Sequence, residues 1–211
     1  MRFKYIFFDF NGTILDDVDL CLNLLNEMLE SKNLAKVSKE RYLEIFTFPV
    51  IDYYKKAGFT FDGYSFEELA SYFIKKYQPA SLKCQIYDGL LDLLEYLKEQ
   101  GYNLIVLSAS RIDNLKEQLD YLNLTSYFKD ILGTSDIYAK TKLGVLLDYL
   151  NSNKIDPSTC LFIGDTLHDY EIAKKVNSVS YLVDFGHQSK QRLLEVTDNV
   201  FDSYQEIRGR L

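Results

Sequence analysis

A carboxylate at the end of a predicted buried strand is the first group in this chain that could take part in chemistry. The apolar run Tyr5–Phe8 leads directly into Asp9, and a parallel α/β sheet presents the last residues of its strands at the carboxyl edge, where ligands bind. An aspartate at this edge can attack an electrophile or hold a metal ion. Asn11, two positions further on, carries an amide that can neither give up nor take up a proton.

The Asn-Gly pair that follows Asp9 permits a second interpretation. Asn-Gly between apolar runs is typical of a two-residue β-hairpin turn, and Asn11 precedes Gly12 here. However, the residues after Thr13 become helical in pattern within a few positions and provide no partner strand. This favours a loop that leads from a strand to a helix.

A second acidic segment, residues 163–169, follows another predicted strand. Asp165 stands at the strand end, and Asp169 lies four residues later, in the first turn of the next predicted helix. This spacing lets both carboxylates face one point, and hard oxygen ligands of this kind suit Mg²⁺. Asp169 could also stabilise its helix through the helix dipole, and the two roles are compatible.

Two further groups stand beside predicted strand ends or helix starts. Ser108 follows an apolar strand, where its hydroxyl could bind a ligand or simply cap the next helix. Lys140 and Lys142 precede a predicted helix, where a lysine is commonly just solvated. Neither group indicates a function when it is taken alone.

The elements that must position these groups alternate between strand and helix from residue 88 onward. Apolar strand patterns are separated by amphipathic helix patterns, which predicts a parallel, right-handed, doubly wound α/β sheet. After the first strand, the predicted strands are 102–107, 128–132, 160–163 and, as the last, 179–183.

Residues 16–78 have helical patterns only. Two amphipathic faces are evident, one from Cys21 to Leu29 and one from Phe66 to Tyr77, the second with Ser65 as its N-cap. This helical segment lies between the first strand and the others, so it is predicted to be an insertion. The resulting domains are an α/β core of residues 1–15 and 84–211 and an all-helical cap of residues 16–83.

Composition excludes several classes of protein. The chain is 47% hydrophobic and 26% charged with a formal net charge of −7, so it lacks the basic character that a nucleic-acid partner calls for. No apolar stretch approaches the ~18 residues of a membrane span, and Asp9 interrupts the first apolar run too early for a signal peptide. Three scattered cysteines indicate reduced thiols and a cytoplasmic location.

Taken together, these groups resemble the motifs of the haloacid dehalogenase (HAD) superfamily. In chain order they are Asp9, Ser108, a lysine, and the Gly-Asp-x-x-x-Asp segment that contains Asp165 and Asp169, each near a strand end. The resemblance covers essentially the whole chain, including the cap, and is closest to phosphoglycolate phosphatase-like hydrolases. It implies the following site residues.

By this resemblance, Asp9 is the nucleophile that forms an aspartyl-phosphate, and Thr13 and Ser108 bind the transferring phosphoryl group. Ala109 joins the residues that bind the substrate. Lys142 is preferred as the motif lysine because Thr141-Lys142 directly precedes the predicted helix, with Lys140 as the alternative.

The resemblance also implies a Mg²⁺ cofactor. Asp9, Asp165 and the backbone carbonyl of Asn11 would bind the ion, and Asp169 would support it through water or by orienting the other ligands. The ion and Lys142 together would lower the pKa of Asp9.

In most phosphatases of this superfamily, position 11 is an aspartate that protonates the leaving oxygen, which is help typically worth about 10²–10⁴ in rate. With Asn11 the enzyme could be slow, or restricted to leaving groups that need no proton. His168, Asp16 or Asp17 could instead replace the acid, and His187, after the last predicted strand, could approach the site or belong to a plain loop.

The function expected from the sequence is a Mg²⁺-dependent phosphatase-like hydrolase of small phosphorylated metabolites. The alternative is a protein of the same fold that binds a phosphorylated ligand with little or no turnover. Aromatic residues of the cap, including Phe48, Tyr53 and Tyr54, could shape substrate choice or only pack. The sequence predicts no oligomeric state.

Overall fold

The computed structural model describes residues 2–134 and 141–211, which form one parallel sheet with helices on both faces and a set of four further helices. The strands are β1 (Tyr5–Phe8), β2 (Asn103–Arg111), β3 (Asp130–Thr134), β4 (Cys160–Gly164), β5 (Val179–Val183) and β6 (Val200–Phe201). The helices are α1 (Val18–Ser31), α2 (Lys39–Ile45), α3 (Val50–Ala57), α4 (Phe66–Ser81), α5 (Leu90–Glu99), α6 (Ile112–Tyr121), α7 (Lys142–Ser152), α8 (Leu167–Lys175), α9 (Lys190–Leu194) and α10 (Tyr204–Arg210).

The sheet has six strands in the order β3-β2-β1-β4-β5-β6, and every pair of neighbours is parallel. β1 is therefore central, with Phe8 in register with Val106 of β2 and Ile163 of β4. The residues that follow these three strands consequently emerge side by side at one edge. This confirms the predicted doubly wound α/β fold and excludes the hairpin interpretation of the Asn-Gly pair.

Side-chain alternation along the strands explains why both faces of the sheet are covered. In β1, Ile6 and Phe8 belong to one apolar cluster and Phe7 belongs to another. Leucines of α5 and α6 cover the first face, and α7 and α8 cover the second. Because both faces are buried, the strands are continuous apolar runs in the sequence.

The helices α1 to α4 pack on one another around an apolar cluster of their own, which includes Leu25, Met28, Tyr42 and Tyr53. α4 begins at Phe66 with Ser65 as its N-cap, as expected. The division of the chain into a core and a cap with boundaries at residues 16 and 83 stays a prediction.

The structure corrects several predicted elements. β2 continues to Arg111 rather than ending at residue 107, because the residues there remain extended and Arg111 pairs with Thr134 of β3 after a shift in register. Val179–Val183 is not the last strand, since β6 follows it. Within the part of the chain that the structure describes, no helix has the length and apolar character of a membrane span.

Candidate active site

The loop after β1 brings Asp9 to the carboxyl edge of the sheet. The backbone N–H of Asp9 donates to the carbonyl of Ile163 at 2.8 Å, so the chain leaves the sheet beside β4. Gly12 then adopts φ +71°, and a Cβ at this position would lie 2.3 Å from the Oδ2 of Asp165. Glycine is required here for both its backbone conformation and its lack of a side chain.

Lys142 lies at the start of α7, where Thr141 caps the helix by accepting the N–H of Gly144. Its side chain is buried. The Nζ atom of Lys142 contacts the Oδ1 of Asp9 and lies 2.6 Å from the Oδ1 of Asp169. A solvated role for this lysine is therefore wrong. Lys140 lies outside the described residues.

Asp169 serves its helix and the charged cluster at once. Its Oδ2 accepts the backbone N–H of Thr166 at 3.1 Å and the hydroxyl of Thr166 at 2.7 Å, while its Oδ1 faces Lys142. These bonds fix the carboxylate at the start of α8. The helix-capping role expected for Asp169 is confirmed, and its role at a metal ion stays a prediction.

Asp165 is fully buried beside the loop after β1. Its Oδ1 accepts a hydrogen bond from the Thr13 hydroxyl at 3.3 Å, and its Oδ2 accepts one from the backbone N–H of His187 at 2.7 Å. The hydroxyl of Tyr204 donates to the backbone carbonyl of Thr13 and thereby helps to hold this loop. The structure thus brings Thr13 and Asp165 together at the carboxyl edge of the sheet.

Burial dominates the electrostatics of the nucleophile candidate. Removal from water raises the pKa of Asp9 to about 6, although Lys142 opposes this shift, and the nearby Asp169 raises the pKa further. The expected lowering of this pKa depends on Mg²⁺ as well as on Lys142, so it stays a prediction. Burial likewise raises the pKa of Asp165 to about 8, whereas Lys142 and other donors hold the pKa of Asp169 below its usual value despite its burial.

These carboxylates fit a divalent cation. Asp9, Asp165 and Asp169 offer oxygens that all lie within 4.8 Å of one another, and hard oxygen ligands are those that Mg²⁺ prefers. The donors that contact Asp165 are a hydroxyl and a backbone N–H. Burial is the main cause of its raised pKa, and the negative charges of Asp9 and Asp169 add to it, although His187 opposes the shift. A cation bound among these oxygens would offset these negative charges.

Ser108 and Ala109 lie in the last part of β2. Ser108 is buried, and its Oγ accepts the backbone N–H of Ser110 at 3.1 Å. Since β2 continues to Arg111, Ser108 is not a helix cap, which was the other interpretation of this residue. Ala109 is exposed, and its carbonyl accepts a hydrogen bond from Thr134.

The Asn11 side chain is held on two sides. Its Nδ2 donates to the Oδ2 of Asp17 at 3.0 Å and to the hydroxyl of Tyr77, while its Oδ1 accepts the hydroxyl of Ser110 at 3.1 Å. Tyr77 lies on α4, and Ser110 lies on β2. The amide therefore joins the loop after β1 to the helical segment and to a neighbouring strand.

Asp17 and His187 form a buried ion pair beside this amide. The Nε2 of His187 lies 3.3 Å from the Oδ1 of Asp17, and its Nδ1 lies 2.8 Å from the hydroxyl of Tyr42. Burial alone would lower the pKa of His187, but Asp17 raises it to about 9. Burial would raise the pKa of Asp17, but His187 and the donors Tyr77 and Asn11 hold it below its usual value.

This ion pair bears on the candidates for a replacement acid. Asp17 is ionised and only 1% exposed, so it is poorly suited to deliver a proton. Asp16 is exposed at the surface. His168 is half-buried beside Asp169, and its ring centroid lies 4.8 Å from that of Phe48 in the segment between α2 and α3.

Sequence reasoning did not identify Tyr42 and Tyr77 as partners of the site. Both occupy apolar helix faces and were indistinguishable there from packing residues. Asp17, Cys21 and His187 also lie close enough together to hold a metal ion. Asp17, however, already accepts hydrogen bonds from Gly12, Asn11 and Tyr77, so the group is explained without one.

Comparisons with known proteins agree with this geometry. The family model described as haloacid dehalogenase-like hydrolase matches residues 6–183, a span that contains Asp9, Lys142, Asp165 and Asp169. The chain therefore belongs to the haloacid dehalogenase-like hydrolase family.

Individual relatives extend this result. Phosphoglycolate phosphatase 1 of Pseudomonas aeruginosa is 25% identical over 211 residues, and the alignment covers 94% of this chain and 78% of that protein. Probable phosphatase IndB of Dickeya dadantii is 29% identical over 127 residues. That match covers 59% of this chain and 55% of the relative, so it spans about half of the relative's length.

A solved structure of a haloacid dehalogenase-like family hydrolase from Streptococcus pneumoniae has the same fold. It aligns with a TM-score of 0.85 at 19% identity and covers 99% of this chain and 98% of that one. The family and the names of the relatives support a hydrolase of phosphate esters, similar to phosphoglycolate phosphatases.

Proposed function

We propose that this chain is a Mg²⁺-dependent phosphatase of small phosphorylated metabolites that acts through an aspartyl-phosphate on Asp9. The observation that supports it most is the buried contact of Asp9 with Lys142 beside two further carboxylates, Asp165 and Asp169. A carboxylate can approach a phosphate dianion only where positive charge is concentrated. Lys142 is the cation that this chain itself brings to that place.

In this proposal, an oxygen of Asp9 attacks phosphorus, a new P–O bond forms, and the bond between phosphorus and the leaving oxygen breaks. Lys142 keeps Asp9 oriented and offsets the charge of the phosphoryl group, to which Thr13 and Ser108 donate hydrogen bonds. The leaving oxygen takes its proton from water. A second water then attacks phosphorus, which releases inorganic phosphate and restores the Asp9 carboxylate.

Asp9, Asp165 and the backbone carbonyl of Asn11 would hold the metal ion, with Asp169 in support. When bound, a divalent cation supplies positive charge that polarises the phosphoryl group and offsets the acidic residues. Asp169 already fixes Lys142 at 2.6 Å, so it also keeps the lysine beside the nucleophile.

Substrate choice is proposed to depend on the residues that border the leaving-group side. Tyr53 and Tyr54 are buried within the helical segment and are explained by packing. Phe48 is half-buried and its ring lies against His168, next to Asp169, so these two residues are the better candidates. Phosphoglycolate, named for a relative, is the first metabolite to test, followed by sugar phosphates.

The test is hydrolysis of p-nitrophenyl phosphate with Mg²⁺ by the purified chain and by Asp9→Asn. We expect turnover by the wild type and none by Asp9→Asn, because an amide is not a nucleophile for phosphorus. Asp62→Asn, an exposed residue between α3 and α4, is the matched control and keeps full activity. Intact-mass measurement beforehand excludes deamidation at the Asn-Gly pair.

Measurable binding of phosphate esters without Asp9-dependent turnover on aryl, acyl and alkyl phosphates contradicts this proposal. Such a result favours the alternative function, a binding protein of the same fold. The amide of Asn11 in place of an acid is the observation that makes this alternative worth testing.

A further inference from the structure

The carboxylate of Asp17 organises the loop that carries the proposed nucleophile. It accepts the backbone N–H of Gly12 at 2.9 Å, the Nδ2 of Asn11 at 3.0 Å and the hydroxyl of Tyr77 at 2.6 Å, in addition to its ion pair with His187. All of these partners approach it with donors. Asp17 is therefore a buried acceptor whose surroundings are complete.

This set of bonds determines which side chain can occupy position 11. The group that faces the Oδ2 of Asp17 must donate, and the amide nitrogen of Asn11 does so. A carboxylate at the half-buried position 11 would place one acceptor against another and would bring a second negative charge beside the buried Asp17. The amide is thus the chemical complement of Asp17.

The same bonds determine what Asn11 presents to the site. Since its nitrogen is directed at Asp17 and Tyr77, its Oδ1 is directed at the hydroxyl of Ser110. The oxygen of the Asn11 amide is therefore held as an acceptor beside Ser110, and this side chain has no ionisable proton that it could give to a leaving group.

We propose that Asp17 is a positioning residue for the loop of residues 9–13, and that position 11 carries an amide because the carboxylate stands at position 17. The inference rests on the proposed function, in that the loop carries the nucleophile Asp9. It goes further by assigning Asn11 and Asp17 as a matched pair, so that neither can be exchanged alone.

The test is a double-mutant cycle of Asn11→Asp, Asp17→Asn and the exchanged pair Asn11→Asp/Asp17→Asn. Asn11→Asp is expected to lower the thermal midpoint by about 6 °C or more, as an unmatched buried charge does, and to lower kcat about tenfold or more through misplacement of the loop. In the exchanged pair, the amide at position 17 donates to the carboxylate at position 11. We expect it to recover at least half of the loss in each quantity.

The control cycle pairs Asp17→Asn with Asn23→Asp, since Asn23 is exposed on α1. Its effects on the thermal midpoint and on kcat are expected to add. A role limited to stability would change the thermal midpoint alone. A positioning role changes kcat more than KM, and both kcat and the thermal midpoint recover in the exchanged pair.

Additive effects of Asn11→Asp and Asp17→Asn overturn the inference, as does an Asn11→Asp variant with an unchanged midpoint and higher kcat on alkyl phosphates. If Asn11→Asp fails to fold, recovery of the folded protein in the exchanged pair supports the inference, and failure of the exchanged pair overturns it. The midpoints are measured without substrate. They therefore remain decisive even if no variant turns over a phosphate ester and the proposed function fails.

Discussion

Replacing Lys142 with methionine tests the electrostatic basis of the site. The substitution keeps a long flexible side chain and removes the ammonium that contacts Asp9 and lies 2.6 Å from Asp169. The lysine side chain is only 6% exposed, so water cannot replace it without opening the structure. The three carboxylates of Asp9, Asp165 and Asp169 would then share a buried space without this charge.

Removing one partner of a buried ion pair costs about 3–5 kcal/mol, because the other charge stays buried. For a chain of this length, 1 kcal/mol corresponds to about 2–4 °C in Tm, so Lys142→Met should melt about 6–20 °C below the wild type. The pKa of Asp9 is already raised to about 6 in the presence of Lys142. Without the lysine it rises further, and protonation of Asp9 limits the loss of stability while it removes the nucleophile.

The measurement is thermal unfolding by circular dichroism of the wild type, Lys142→Met and Lys116→Met, each with and without Mg²⁺. Lys116 is an exposed lysine of α6 and serves as the matched control. Mg²⁺ should raise the Tm of Lys142→Met more than that of the wild type, because the cation replaces the lost charge. A Tm of Lys142→Met within about 2 °C of the control would refute the reasoning, since it corresponds to about 1 kcal/mol or less.

Three further predictions follow from the site. Because Asn11 has no ionisable proton to give to a leaving group, rates on substituted phenyl phosphates should fall steeply as the pKa of the leaving group rises. Alkyl phosphates should react about 10²-fold or more slowly than phenyl phosphates. Rates that do not change with the pKa of the leaving group contradict this. A chelator should abolish turnover and Mg²⁺ should restore it, whereas full activity in the chelator rules out the metal. Tyr204→Phe removes the buried donor to the Thr13 carbonyl and should lower the stability of the fold by about 1 kcal/mol, or the Tm by about 2–4 °C. The control is Tyr121→Phe, at an exposed tyrosine, and equal Tm values for the two variants contradict the prediction.

The acidic part of the site could be predicted from the sequence because local pattern and topology determine it. Asp9 and Asp165 each follow an apolar run that is long enough only for a buried strand, and parallel strands end at a common edge. Lys142 was preferred over Lys140 because Thr141-Lys142 directly precedes the predicted helix. These inferences need no knowledge of side-chain contacts.

Elements without a strong apolar signal could not be predicted as well. The last residues of β2 lack a continuous apolar pattern, so the predicted end of this strand was too early. Its backbone nevertheless remains paired with β3. β6 has two residues, which is too short for any periodic pattern to be recognised. In both cases tertiary pairing, rather than local preference, forms the strand.

The partners of Asn11 were also beyond the sequence. Tyr77 is separated from Asp17 by 60 residues, and its hydroxyl stands on an otherwise apolar helix face. His187 follows β5 in a loop whose approach to Asp17 depends on the whole sheet and on the helical segment. The part that burial plays in the pKa of Asp9 was beyond the sequence for a related reason, because the extent of burial cannot be obtained from the types of neighbouring residues.

The contacts between Asn11 and Asp17 change what the amide at position 11 implies about the activity of this chain. Asn11 alone indicates the loss of a general acid, and hence a weak enzyme. Yet its amide bonds to Asp17, Tyr77 and Ser110, which is more organisation than a residue without a role requires. A carboxylate is still present beside the loop, but it is sealed from solvent by His187 and the helices, so it cannot exchange a proton with a substrate. Under the proposed function, protonation of the leaving group would then be left to water, and the missing acid would restrict which phosphate esters react without making the fold inactive.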